Sequence, residues 1–210
     1  MPTSLTKQAN PNPKTPAVVI LAAGHSLRMG YPKAQLKFSA NYSFAEQIIA
    51  VYNSAGISDI SIVLNTETEF FADQSNHPPV SIIRNPNPAL GRLYSAFLGI
   101  SGAGTGAPLF IQNIDNPFVT VHVILEMTKM ITDSGFVSPV YENRKGHPVL
   151  LSPEVLEFLT KNYTKYESLR DILGCFPCKT CQVGDPNILI NINTPDDYMK
   201  HFGTSIQISK

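Results

Sequence analysis

Short, fully apolar runs alternate along this chain with longer stretches in which apolar residues return every three or four positions. The run AVVILA at 17–22 is apolar throughout and stops at Gly24, the pattern of a parallel strand buried on both faces. Residues 43–55 (SFAEQIIAVYNSA) put Phe44, Ile48, Ile49, Val51 and Tyr52 at helical spacing, and Gly56 ends the pattern. Strands are then predicted over 57–65 and 81–85. A helix follows over 91–100, broken by the glycines of SGAGTGA (101–107), and then a strand over 108–115 that runs from apolar into polar residues. VHVILEMTKMIT (121–132) is amphipathic and helical. GFVSPVYENRKGHPVLLS (135–152) reads as two strands about a polar turn, and 153–162 and 166–174 as short helices. DPNILININTP (185–195) reads as a last strand running into a helix start at Thr194-Pro195-Asp196-Asp197.

Strands alternating with helices predict an α/β fold: three layers, α/β/α and Rossmann-like, about a mostly parallel central sheet. The chain of 210 residues suits one such domain over 16–210. Residues 1–15 are rich in Pro, Asn, Thr and Lys and poor in large apolar side chains, which predicts a disordered leader. Sixteen basic and sixteen acidic residues leave no net charge, so no general attraction to nucleic acid or to anionic lipid is implied. No apolar run is long enough to span a bilayer, and the N-terminus lacks the hydrophobic core of a signal peptide. Three cysteines crowd into CFPCKTC at 175–181, an odd number and no disulfide framework, which predicts reduced thiols in a cytoplasmic protein. Cys175, Cys178 and Cys181 have no fourth metal ligand near them in sequence, and a late strand carrying ordinary thiols accounts for them better than a metal site.

The chemistry concentrates after the first strand, in LAAGHSLRMGYPK at 21–33. In open α/β sheets, ligands sit at the carboxyl ends of strands. Small residues at 22–24 let backbone approach a ligand closely, and successive amides there can face anionic oxygens. Arg28 adds a planar fork of donors and Lys33 a point charge. The spacing fits neither GxxxxGK[ST] nor GxGxxG, so the two common nucleotide fingerprints are excluded. A phosphate cradle and a plain strand–loop turn with two solvated cations both satisfy these residues. Two later segments are equally double-edged. Asp115-Asn116-Pro117 suits a turn after a strand, and Asn193-Thr194-Pro195 with two aspartates suits an ordinary capped helix start.

LAAGxSxRMGxPK resembles the signature of the MobA/MocA-like nucleotidyltransferases, which activate sugar phosphates and the pterin of the molybdenum cofactor. Ala22, Ala23, Gly24, Ser26, Arg28, Met29, Gly30, Pro32 and Lys33 match it. Three further stretches fall in the family's order and extend the resemblance over about 17–200: IDNPFV (114–119), GHPVLLS (146–152) and NINTPDDY (191–198). The resemblance implies a magnesium-dependent enzyme of the nucleotidyltransferase fold. It would move a nucleoside monophosphate from a triphosphate onto a phosphorylated acceptor such as molybdopterin, with release of pyrophosphate. Arg28 and Lys33 would carry the phosphates, and Asp115, with Asn191 or Asn193, would hold Mg²⁺. Leu21, Ala22, Ala23, Gly24 and Ser26 would bind the nucleotide. Asn85, Asn87 and Ser95 would add donors and acceptors for the base, and His147 would meet the acceptor. The Gly146-His147-Pro148 turn resembles the cytidylyltransferase branch and the neutral Asn191 and Asn193 the guanylyltransferase branch, which favours CTP over GTP only slightly. A sugar phosphate or other alcohol phosphate as acceptor, or a non-catalytic nucleotide-binding regulator, fits the same motifs.

Overall fold

The computed structural model of the chain describes residues 15–68, 79–104 and 106–209; all of the expected leader but Thr15 lies outside them. An eight-stranded sheet forms the middle layer. Its strands are β1 (Ala17–Leu21), β2 (Ile60–Asn65), β3 (Val80–Asn85), β4 (Leu109–Asn113), β5 (Phe136–Tyr141), β6 (Arg144–Lys145), β7 (Val149–Leu151) and β8 (Cys178–Gln182). The helices are α1 (Phe44–Ser54), α2 (Gly91–Ala103), α3 (Val121–Met130), α4 (Pro153–Asn162), α5 (Leu169–Leu173) and α6 (Pro195–Phe202). In the order β3-β2-β1-β4, all neighbours are parallel. β7 then pairs antiparallel with both β4 and β5, and β8 runs parallel along the other edge of β5.

Alternation along β1 explains the three layers. Val18 and Ile20 face one core with Phe44, Ile48, Ile49 and Tyr52 of α1 and Val123, Ile124 and Met127 of α3. Val19 and Leu21 face the other, with Leu93, Ala96 and Ile100 of α2 and Val155, Leu156 and Leu159 of α4. A strand flanked on both sides must be apolar at every position, which is why AVVIL carries no polar residue. α1 begins where Ser43 caps the Glu46 amide and Glu46 returns the bond to the Ser43 amide.

α2 lies unusually close to the sheet at Gly99, where a Cβ would overlap the Val19 side chain. Gly99→Ala would gain about 1 kcal/mol of helix propensity. Overpacking costs about 1–3 kcal/mol, and here the overlap is with a central strand that cannot move aside. The variant is therefore expected to melt a few degrees below the parent, read by thermal denaturation; an unchanged or raised Tm would show that α2 can lift off β1.

Two expectations are corrected. The region 135–152 holds three strands rather than two, because β6 and β7 share one edge of β5 but are parted by residues 146–148. Residues 185–195 contain no strand. Asp185 accepts from the Asn187 amide and starts a 3-10 turn over Pro186–Leu189, after which the chain runs extended without a ladder. Its apolar residues point into the body all the same: Ile188 and Ile192 are buried. They satisfy a hydrophobic pattern through loop packing instead of strand pairing. The late strand is β8, with Cys178 and Cys181 on it and Cys175 exposed before it; all three are free thiols. Among the described residues no His, Cys, Asp and Glu cluster suited to a metal is found, and no helix is long and apolar enough to cross a membrane.

Candidate active site

The strand order reverses between β1 and β4, which places a crevice between their carboxyl ends. The loop after β1 is pinned at two points. Ala22 donates its amide to Val63 O at 2.9 Å, and Ile114, just past β4, donates to Leu21 O at 3.2 Å. Ser26 then adopts a positive φ of 51°, and its carbonyl accepts from both Met29 and Gly30, at 2.8 and 3.0 Å. Met29 is sunk in the core and anchors the tight turn so formed. Gly30 follows at φ 78°, a conformation that a side chain resists. Among the described residues the amides of Ala23, Gly24 and His25 find no acceptor. Small residues and free backbone donors at a switch point make a cradle for anionic oxygens.

Lys33 comes back into this crevice from a 3-10 turn over Lys33–Gln35, whose Ala34 is buried. Its Nζ donates to Asn193 Oδ1 at 2.8 Å and stands 3.7 Å from Asp115 Oδ2. The two charged side chains are only 12% and 14% exposed. Burial lowers the Lys33 pKa; Asp115 opposes that shift, while the positive charges of Arg28 and Arg92 add to it. Three cations therefore face one space that contains one carboxylate.

Asp115 is set with care. Gln112 Nε2 donates to Asn113 O and Asn116 O, both at 2.9 Å, and Gln112 Oε1 accepts from the buried Tyr52 hydroxyl at 3.1 Å. The Asn116 side chain donates to Asn187 O at 3.0 Å and to Ile190 O, and Ile192 donates its amide to Asp115 O at 2.8 Å. The turn after β4 is thus stapled to the irregular segment 187–192. Asn193 follows directly and is held by Asp197, whose carboxylate accepts from the Asn193 and Thr194 amides at 2.9 Å each. Those bonds, chiefly the one from Asn193, lower the Asp197 pKa. With its partners counted, Asp115 still has one buried oxygen, Oδ1, that no protein group satisfies. A buried, unpaired carboxylate oxygen is costly unless a ligand meets it.

The resulting cavity has a volume of about 500 Å³. Of the residues expected to act, Leu21, Ala22, Ala23, Gly24, Ser26, Arg28, Lys33, Ser95, Asp115 and Asn193 line it. Three do not. Asn85 is fully buried behind Ser95, donating to its Oγ at 3.0 Å and accepting from the Asn87 amide at 2.8 Å, so it shapes the wall without reaching a base. Asn191 is exposed and outside the cavity lining. His147 lines a neighbouring cavity of about 700 Å³, with its ring 3.0 Å from Asn113 Nδ2. Burial lowers the His147 pKa, Asp115 pulls it back, and Arg92 lowers it further. The preceding Gly146 is required by close packing, since a Cβ there would overlap the Ile188 carbonyl. Sequence reasoning missed Arg92 and Asn113. Arg92 at the start of α2 has the look of a solvated helix residue, and Asn113 that of a strand end.

A family model described as the MobA-like NTP transferase domain matches residues 18–180. A search of the curated proteins gave no match. Among solved structures, a nucleotidyl transferase from Methanothermobacter thermautotrophicus superposes with a TM-score of 0.73 at 19% identity, over 90% of this chain and 96% of that one. Rv0371c of Mycobacterium tuberculosis, in complex with manganese, gives 0.64 at 19% identity over 90% and 98%. Molybdopterin-guanine dinucleotide biosynthesis protein A of Archaeoglobus fulgidus gives 0.58 at 16% identity over 88% and 95%.

Proposed function

The chain belongs to the family of MobA-like NTP transferase domains and is a nucleotidyltransferase; from that premise we propose that it transfers a nucleoside monophosphate to a phosphorylated small molecule, with molybdopterin as the acceptor and CTP as the slightly favoured donor. An acceptor phosphate oxygen attacks the α-phosphorus, a new P–O–P link forms, and the bond to the bridging β-oxygen breaks as pyrophosphate leaves. Both reactants are anionic and the nucleophile is already ionised, so the protein's work is positioning and charge neutralisation.

The observation that carries this reading is the unsatisfied Oδ1 of Asp115 in a crevice rich in cations. That oxygen fits Mg²⁺, a hard ion that takes one or two carboxylates and fills its remaining positions with phosphate oxygens and water. Asp115 would hold it; Asn193 Oδ1, engaged by Lys33, could join only by releasing that bond, and Asn191 stands away from the cavity. The metal would neutralise charge building on the phosphates. The free amides of Ala23, Gly24 and His25 fit the phosphate chain, and Arg28 the α-phosphate with a bidentate fork. Lys33, held between Asp115 and Asn193, fits the β and γ groups. The three free thiols suit a cytoplasmic enzyme.

Two measurements test it. Isothermal titration in Mg²⁺ should show CTP binding somewhat more tightly than GTP, and both more tightly than ATP or UTP, because a site lined for one base leaves polar groups unpaired with another. Tighter GTP binding reverses the choice of base, and no triphosphate binding removes the reading altogether. Pyrophosphate release with molybdopterin and with sugar phosphates then decides the acceptor.

A further inference from the structure

Lys33 is gripped at its tip and at its root by one stretch of chain. At the tip, its Nζ donates to Asn193 Oδ1 at 2.8 Å. At the root, Lys33–Gln35 is a single 3-10 turn, an element whose hydrogen bonds are poorly aligned and which relies on its surroundings. Residues 207–209 provide those surroundings. The Ser209 amide donates to Gln35 O and the Lys37 amide to Gln207 O, both at 2.8 Å, and between them Leu36 and Ile208 form an antiparallel bridge. A third bond closes the clamp. The Tyr198 hydroxyl donates to Lys37 O at 2.7 Å, while its ring packs on Phe44 and Phe202. Asn193 and residues 207–209 are joined by α6, which Thr194 and Asp197 cap at its start. Gly203 ends that helix at φ 68°, the left-handed turn that sends the chain back along 35–37. Residues 193–209 lie beyond the 18–180 matched by the family model, and 204–209 lie beyond the stretch NINTPDDY as well.

We infer that Tyr198 and residues 207–209 are positioning residues for Lys33: by clamping 35–37 they aim its ammonium at the outer phosphates of the triphosphate. The inference rests on the nucleotidyl-transfer reading and adds to it the groups that make Lys33 effective. A lysine is a point charge on a flexible four-carbon stem, so its direction is set by the backbone that carries it. Neither Tyr198 nor 207–209 lines the nucleotide crevice, so whatever they contribute there passes through Lys33. A stem whose root is fixed has less freedom to lose when phosphates bind, and that saving appears as affinity. The saving applies only to ligands long enough to meet Lys33, which separates positioning from general support of the fold.

The test is a double-mutant cycle on the full chain, with calorimetry of a non-hydrolysable CTP analogue and of CMP, both in Mg²⁺. Ser209→Pro removes the amide that holds Gln35 O, and Tyr198→Phe removes the hydroxyl that holds Lys37 O while keeping the ring. Each should weaken the CTP analogue about three- to tenfold, the scale of ordering one long side chain, and leave CMP affinity unchanged. Ser209→Ala keeps the amide and should bind the analogue as the parent does. In a Lys33→Ala background, where nothing remains to be aimed, neither change should cost further affinity. The same loss in both backgrounds would make the clamp a support of the fold alone and overturn the inference. Equal losses for CMP and the analogue overturn it too, as does no loss in either variant. Circular dichroism is run on every variant, and a variant that unfolds where Ser209→Ala does not also counts against positioning. If the parent binds no CTP analogue at all, the nucleotidyl-transfer reading itself fails, and that outcome is seen before any variant is made.

Discussion

Asp115→Asn is expected to lower the rate of nucleotidyl transfer by on the order of 10³-fold and to flatten its dependence on Mg²⁺. The side chain keeps its size, so the staple to Asn116 and Ile192, which uses backbone and a neighbouring side chain, is untouched. What disappears is the negative charge of the carboxylate whose Oδ1 is buried without a partner. A metal neutralising phosphate charge contributes several kcal/mol to the transition state, and each 1.4 kcal/mol is about tenfold in rate. The checking measurement is pyrophosphate release over a Mg²⁺ titration, with circular dichroism to confirm the fold. Coincident titration curves for variant and parent would place the metal elsewhere.

Lys33→Ala is expected to cost about 10²-fold or more, as for loss of one donor aimed at developing charge. It carries a second signature in its pH dependence. Burial lowers the Lys33 pKa, so the amine loses its proton at lower pH than an exposed lysine would. The charged form exists below the folded-state pKa and is lost as pH rises through it. Triphosphate affinity should therefore fall on the alkaline side earlier than an ordinary lysine would cause, and bound phosphates should shift that fall to higher pH. In the alanine variant this alkaline limb should vanish. Calorimetry across a pH series checks it; an unchanged limb in the variant would assign the titration to another group.

How much of this could be read from residues alone depended on how local each feature is. β1 and α1 announce themselves through continuous apolar character and a capping box, both set by neighbours in sequence. The start of α6 at Thr194 was legible for the same reason, since Thr194 and Asp197 cap each other across three positions. Segment 185–195 was not. Ile188 and Ile192 are buried as strand residues would be, but the backbone of 187–192 is bonded by the Asn116 side chain (to Asn187 and Ile190), by His147 (to Ile188) and by Asp115 (to Ile192), and no sequence pattern marks a side-chain amide seventy-one residues away as a substitute for a ladder. Asn85 looked like a base contact because polarity at a strand end is common to ligand contacts and buried supports; only its bond to Ser95 separates them. Arg92 was hidden by the opposite ambiguity. A cation at a helix start is ordinarily solvated, and its position between two cavities follows from the pairing of β1 with β4, which is a property of the whole sheet.

The staple at Asn116 has a bearing on how the enzyme comes into being. Its two carbonyl acceptors lie 71 and 74 residues further along the chain, and the amide that fixes Asp115 O belongs to Ile192. During synthesis the parallel strands β1 to β4 leave the ribosome well before that segment exists. A nascent chain can pair those strands and bury both sheet faces around β1, yet its Asp115 turn lacks the bonds that aim the carboxylate. Incomplete chains thus carry the loop after β1 without the bonds that aim Asp115: that loop is made first, and the segment that fixes the acid beside it is made long afterwards.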